Sequence, residues 1–239
     1  MNEFWYGYTA LPEHRPGNKL GFDKMMMERA MPEPSRFWDR IAEKYAKQPV
    51  ADEAAYQRKL KVTRDYLRPD MELLEFGCGT GSTALVHAPF VRHISAIDLS
   101  AKMIEIARDK ATASEVANVT FEQLSIDDLD APDETYDAVL GLSILHLLRD
   151  MDGAIAKVHR TLKPGGLFVS STVCMGDTLM MTVIGRVAPV GRWLGLLPYV
   201  RVLTPDDLAA RLTAAGFAIE HRWQPGKGKA VFIVARKTA

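Results

Sequence analysis

The chain has no surplus of either charge: 30 Lys and Arg stand against 30 Asp and Glu. A dedicated nucleic-acid binder carries a basic excess, so a nucleic-acid partner is not expected, although a local basic patch is not excluded. Cysteine is scarce. Cys78 and Cys174 are the two present, with no CxxC and no Cys/His cluster. A disulfide framework and a structural metal site are therefore not expected, and a reducing, cytoplasmic compartment fits. A long apolar run is also lacking. The strongly apolar stretch 174–203 is broken by Gly185, Arg186, Pro189, Gly191 and Arg192. It falls short of the ~18 uninterrupted apolar residues of a membrane span. The start, "MNEFWYGYTALPEHRPGNK", has no basic opening followed by an apolar core, so no signal peptide is expected.

What is present is an ordinary globular composition, 47% hydrophobic over 239 residues. That suits one large α/β domain with a small extension. Residues 1–35 are rich in aromatics, Pro and Gly and show no clear period, which predicts an N-terminal extension, partly disordered or lying over the domain. Met25, Met26, Met27 and Met31 are each alternative translation starts. From residue 36 to 239 the pattern sharpens into a single domain.

Ser35 is placed to cap a helix whose Phe37, Ile41 and Tyr45 recur on one face. "AAYQRKLKVTRDYL" is a second helix, stopped by Pro69. Strands and helices then alternate: "ELLEF", "GSTALVHA", "HISAIDLS", "AKMIEIARDKATASE", "VTFEQL", "YDAVLGLS", "DMDGAIAKVHRTL" up to Pro164-Gly165-Gly166, and "LFVSSTV". This alternation predicts an α/β, Rossmann-like, doubly wound and mostly parallel sheet. After the insertion, Thr204 caps "PDDLAARLTAAG". "FAIEHRW" and "KAVFIVAR" flank the turn "QPGKG" as an antiparallel hairpin.

The chemistry concentrates in "LLEFGCGTGS", residues 73–82. Gly77, Gly79 and Gly81 alternate between a strand and a helix, a spacing that lets backbone approach a ligand closely. A phosphate loop needs a lysine after the glycines, and none follows. Gly79-x-Gly81-x-x-Ala84 does fit the dinucleotide pattern, with Asp98 about 20 residues on for a ribose, so an NAD(P)-dependent oxidoreductase remains an alternative. Glu75 argues against it. A carboxylate just ahead of the turn repels a pyrophosphate and favours a cation.

Four stretches in order resemble the class I S-adenosylmethionine-dependent methyltransferases, small-molecule type: "LLEFGCGTGS", "AIDLS", "LDAPDETYDAVLGLSILHLL" and "RTLKPGGLFV". The resemblance covers residues 36–239 and implies a seven-stranded sheet with an antiparallel last strand. It implies S-adenosyl-L-methionine as cofactor and S-adenosyl-L-homocysteine as product. By this resemblance Gly77, Cys78 and Gly79 would contact the methionine moiety and ribose through backbone. Glu75 would meet the ammonium, Asp98 both ribose hydroxyls, and Leu99 the adenine. Ser125 and Ile126 fall where the family often meets the adenine, with Asp127 the alternative if the register slips. Leu142 and Ser143 would border the methyl group, and Tyr45 would close over the cofactor or pack in the core. The family has no universal catalytic residue. His146 is the candidate general base, its alternative being a residue turned to solvent or core.

The insertion 174–203 is expected to form a lid over a small, apolar or aromatic acceptor, with Met180, Met181, Trp193, Leu196, Leu197 and Tyr199 as walls. The same apolar surface suits a homodimer interface equally well. A non-catalytic, cofactor-binding regulator is the further alternative to an enzyme.

Overall fold

The structure, a computed structural model, describes residues 34–174 and 200–238. The expected extension up to residue 33, and the six expected lid walls, lie outside these residues.

Two helices lead in: α1 (Pro34–Ala46) and α2 (Glu53–Tyr66). The helix α1 begins at Pro34, so Ser35 lies within its first turn and does not cap it. The cap of α2 is Asp52, whose side chain accepts from the Ala55 N–H at 3.0 Å. There follow β1 (Glu72–Phe76), α3 (Ser82–His87), β2 (His93–Asp98), α4 (Ala101–Ala113), β3 (Val119–Gln123), β4 (Tyr136–Leu142), α5 (Met151–Thr161) and β5 (Leu162–Val173). The chain closes with α6 (Pro205–Ala214), β6 (Phe217–Trp223) and β7 (Ala230–Lys237). The helix α5 stops at Thr161, earlier than its sequence period suggests. Pro164 disfavours helical backbone just ahead of it, and Leu162 is already extended and paired with Tyr136.

The sheet has seven strands in the order β3-β2-β1-β4-β5-β7-β6. The first five run parallel, and β7 inserts antiparallel between β5 and β6. This is the doubly wound, Rossmann-like arrangement that the alternation predicts. Side chains alternate across each strand, which splits the core in two. Leu74, Phe76, Val139 and Phe168 face α5 and α6. Leu73, Leu140, Val169 and Phe232 face the α2, α3 and α4 side.

Strand order reverses between β1, which leads outward to β2 and β3, and β4. Loops leaving two neighbouring strands in opposite directions open a crevice at their carboxyl ends, where open α/β sheets hold ligands. Glu75, the glycine turn and the end of β4 all sit at that point.

Candidate active site

The turn after β1 is left-handed at its glycines. At Gly81 φ is +72°, and an added Cβ would come within 2.7 Å of the Phe121 ring and 2.8 Å of the Ala107 methyl. That glycine serves packing. At Gly79 φ is +55°, but the nearest atom to an added Cβ is Tyr45 Cε1 at 3.9 Å. Here the backbone lies open to an incoming group.

Asp98, the last residue of β2, braces this turn. Its Oδ2 accepts from the Gly79 N–H and its Oδ1 from the Ser100 N–H, both at 2.9 Å. Burial raises its pKa above the usual carboxylate range, and the two N–H donors hold part of that rise back. It does not cap α4. Ser100 does so through the Met103 N–H, and Asp39 of α1 joins it by accepting from Ser100 Oγ at 2.6 Å and the Lys102 N–H at 3.1 Å. Each carboxylate oxygen of Asp98 keeps a lone pair for a ligand hydroxyl.

Glu75 is 3% exposed, on β1, beneath the turn. Its Oε2 is buried with no hydrogen-bond partner among the described residues, so no arginine pairs with that oxygen. Burial, and then the charge of Asp98, push its carboxyl up to about 8. An unpartnered buried acceptor costs on the order of 1–3 kcal/mol. A cationic N–H donor entering here would recover that cost and restore the ionised form.

Glu75 and the glycine turn open on a cavity of about 570 Å³ between α2 and the carboxyl edge of the sheet. Of the residues expected at the site, Tyr45, Glu75, Gly77, Cys78, Gly79, Leu142 and Ser143 line it. Tyr45 is 48% exposed, so it is not a core residue. The Cys78 thiol is pushed well up by burial and then by the charges of Glu75 and Asp98, which leaves it no thiolate nucleophile. Ser143 holds a left-handed φ of +59°, uncommon for a residue with a side chain. Its N–H donates to the Ser171 carbonyl at 2.6 Å.

Other expected residues stand outside that wall. Asp98 reaches it through Gly79, and the Leu99 carbonyl accepts from Gln123 Nε2 at 3.3 Å. Leu124 donates its N–H to the Asp98 carbonyl, placing Ser125 just past β3. Ser125 Oγ accepts from the Asp127 N–H, Asp127 is exposed, and Ile126 is buried in the α5-side core. His146 is buried in a short 3-10 turn, Leu145–Leu147. Its carbonyl accepts from the Arg201 N–H at 2.7 Å, and its Nδ1 has no partner among the described residues. Burial lowers its pKa to about 4, so the ring is neutral at pH 7.

Several cavity residues escaped the sequence reading: Tyr56, whose hydroxyl lies 3.3 Å from Thr83 Oγ1; Lys59, which donates to Ser171 Oγ at 2.8 Å; and His87. The run Ser170-Ser171-Thr172 in a buried strand was the one available signal, since a core strand seldom carries three hydroxyls without a use. Among the described residues no cluster of His, Cys, Asp and Glu could hold a metal, and no helix is long and apolar enough to cross a membrane.

A family model described as "Methyltransferase domain" matches residues 73–166, the span from β1 through the turn ahead of the main part of β5. The chain is 32% identical over 102 residues to the uncharacterized methyltransferase YcgJ of Bacillus subtilis, covering 43% of this chain and 40% of that one. It is 29% identical over 154 residues to a ubiquinone biosynthesis O-methyltransferase of Sinorhizobium fredii, covering 64% and 62%. The chain thus spans less than two thirds of the length of these curated relatives. Among solved structures, that of YcgJ superposes with a TM-score of 0.65 at 18% identity, covering 77% of this chain and 99% of that one. An S-adenosylmethionine dependent methyltransferase from Mesorhizobium loti gives 0.62 at 22% identity, covering 78% and 98%. At such identities the likeness is one of fold.

Proposed function

We propose that this chain, whose residues 73–166 match a family model described as a methyltransferase domain, is a class I S-adenosylmethionine-dependent methyltransferase that transfers a methyl group from S-adenosyl-L-methionine to a small, apolar or aromatic acceptor. The observation that carries the reading is Glu75. A buried carboxyl with a free acceptor oxygen, beside an open left-handed glycine, suits a cationic amino-acid tail, which would restore its ionised form, whereas a pyrophosphate beside it would hold it protonated. The nicotinamide alternative is therefore not favoured, despite the GxGxxA spacing.

The cofactor, when bound, supplies a methyl carbon already activated by positive sulfur. The residues of this chain then bind, orient and exclude water. Glu75 accepts from the ammonium. Asp98 accepts from the ribose hydroxyls while its other lone pairs hold the Gly79 and Ser100 N–H groups. The open backbone at Gly79, with Gly77 and Cys78, lets the ligand lie against the turn, under the Tyr45 ring. Leu142 and Ser143, at the end of β4, border the reacting side. Leu99, Ser125 and Ile126 are proposed for the adenine end.

Alignment of acceptor, methyl and sulfur is the main contribution such a site makes. A base is needed only when the acceptor arrives protonated. His146 fits on charge, being neutral at pH 7, and would serve an acceptor seated beyond Leu142 and Ser143. Aromatic acceptors are supported by the ubiquinone biosynthesis O-methyltransferases among the relatives. Calorimetry with S-adenosylhomocysteine tests the reading. Binding is expected, and its absence alongside tight binding of NADH would reverse it.

A further inference from the structure

Lys59 is an unexpected presence in this cavity. It reaches from α2 to the sheet edge, where its Nζ donates to Ser171 Oγ at 2.8 Å. Ser171 itself is 1% exposed. Lys59 takes part in none of the ion pairs found among the described residues. Burial lowers its pKa, and Asp52, held at the α2 cap, offsets only part of that cost. A half-buried ammonium without a carboxylate partner is expensive to keep. It carries three donors, and one goes to Ser171. The Ser171 hydroxyl, having accepted from Lys59, still has its own proton to give.

The position within the sheet separates this pair from Glu75. Leu140 is the β4 partner of Glu75, and Leu142 that of Ser171. Ser171 thus stands two strands from Glu75, roughly 10 Å across at the usual strand spacing. It also stands two residues nearer the carboxyl edge. The cavity carries an unpartnered acid oxygen over β1 and, over β5, an ammonium bonded to Ser171 but to no carboxylate, with Leu142 and Ser143 between them.

We propose that Lys59 and Ser171 form a carboxylate-binding site at the β5 end of the cavity. The proposal rests on reading this cavity as the methyl-transfer site. Two carboxylates can reach it. One belongs to the amino-acid tail of the cofactor, whose ammonium goes to Glu75. The other would be an acid group on the acceptor, which would narrow the acceptor class to aromatic or apolar acids. A charge-assisted contact of this kind, in a partly dry site, is roughly twice as strong as a neutral one.

The test is calorimetry on wild type, Lys59→Met and Lys59→Arg with matched probes. S-adenosylhomocysteine is compared with its decarboxylated analogue, which keeps the ammonium. Benzoate is compared with benzyl alcohol on protein saturated with S-adenosylhomocysteine. If the cofactor supplies the carboxylate, Lys59→Met binds S-adenosylhomocysteine at least tenfold more weakly, the decarboxylated analogue binds unchanged, and Lys59→Arg recovers part of the loss. If the acceptor supplies it, cofactor affinity is unchanged, while wild type prefers benzoate to benzyl alcohol and Lys59→Met does not. Equal behaviour of wild type and Lys59→Met toward both probe pairs overturns the proposal. Should Lys59→Met not fold, Ser171→Ala is read against the same pairs. If wild type binds no S-adenosylhomocysteine, yet on the free protein prefers benzoate to benzyl alcohol while Lys59→Met does not, the carboxylate site stands and the methyl-transfer reading falls.

Discussion

The Gly79 N–H and the Asp98 Oδ2 lie 2.9 Å apart, so the carboxylate at the end of the second strand fixes the turn after the first. Asp98 therefore holds the turn in place, and on the proposed reading the same side chain takes the ribose hydroxyls. Replacing it with alanine removes both jobs. Losing two hydrogen bonds to a charged group, about 1.5–3 kcal/mol each, costs about 3–6 kcal/mol of stability. Affinity for S-adenosylhomocysteine should drop by a larger factor than for homocysteine-free fragments that lack the ribose, on the order of a hundredfold. Asp98→Asn keeps one acceptor oxygen and should fall between. Calorimetry on the folded variants checks this, and an unchanged affinity in Asp98→Ala would remove the ribose assignment.

Gly79 and Gly81 are both left-handed, yet their substitution should fail in different ways. At Gly81 an added methyl meets the Phe121 ring at 2.7 Å and Ala107 at 2.8 Å. Overpacking of about 1–3 kcal/mol adds there to a left-handed penalty of about 1–2 kcal/mol. At Gly79 only the second cost applies, because nothing stands closer than 3.9 Å. Gly81→Ala should lower the melting temperature markedly. Gly79→Ala should lower it little and lose most of its S-adenosylhomocysteine affinity, since the methyl occupies the ligand's approach. Equal thermal loss in the two variants would contradict this division of roles.

These two positions also show what a sequence can carry. Alternate glycines, a carboxylate before them and another at the end of the next strand are local requirements, each written within a few residues of where it acts. The same holds for the capping box at Thr204 and Asp207, and for the left-handed Gly216 that ends the helix α6. The parallel strands β1, β2 and β4 were legible because each is a short apolar run followed by a helical period, while β3, a half-exposed VTFEQ with no helix before β4, was legible from its alternation with the helix ahead of it. Lys59 and Ser171 were not, because 112 residues separate them and only the folded sheet brings them together. Ser125 shows the intermediate case. Its place after β3 follows from register, but its side chain turns to its own backbone neighbour, the Asp127 N–H.

On the proposed reading, His146 serves the chemistry and not the binding of the cofactor. Burial keeps the ring neutral, with a pKa lowered to about 4, and it stands off the cavity that receives Glu75. Removing a general base costs about 10²–10⁴ in rate. His146→Gln should therefore leave S-adenosylhomocysteine affinity within a factor of two and reduce kcat on an acceptor that arrives protonated. An acceptor already ionised should be spared. The stability readout runs the same way as the burial. Below pH 6.5 the unfolded chain gains a proton that the folded ring refuses until about pH 4, so wild type loses stability across that window and the glutamine variant loses less. A variant with full kcat on protonated acceptors would reduce His146 to a packing residue.

Glu75 couples folding, binding and pH. Its folded pKa of about 8 lies above the ordinary 4.5 because burial, and then Asp98, oppose the charge. Below pH 4.5 both folded and unfolded chains hold the proton, and no penalty exists. Between pH 4.5 and 8 the unfolded chain ionises while the folded one does not, so stability falls as pH rises, by about 1.4 kcal/mol per unit. The full cost by pH 8 is ~3–5 kcal/mol. Glutamine cannot ionise, so Glu75→Gln should match wild type at pH 4.5, exceed it increasingly up to pH 8, and hold a constant advantage beyond. Binding reverses the preference, because an ammonium donor needs the ionised carboxylate. Wild type should release a proton on taking up S-adenosylhomocysteine at pH 6.5, and its affinity should climb toward pH 8. Glu75→Gln should bind weakly with no such slope. Thermal unfolding at pH 5, 6.5 and 8, with calorimetry in two buffers of different ionisation enthalpy, reads both effects. A stability gap that stays flat with pH would mean the folded carboxyl is already ionised in the free protein, and the proton release on binding would then be absent.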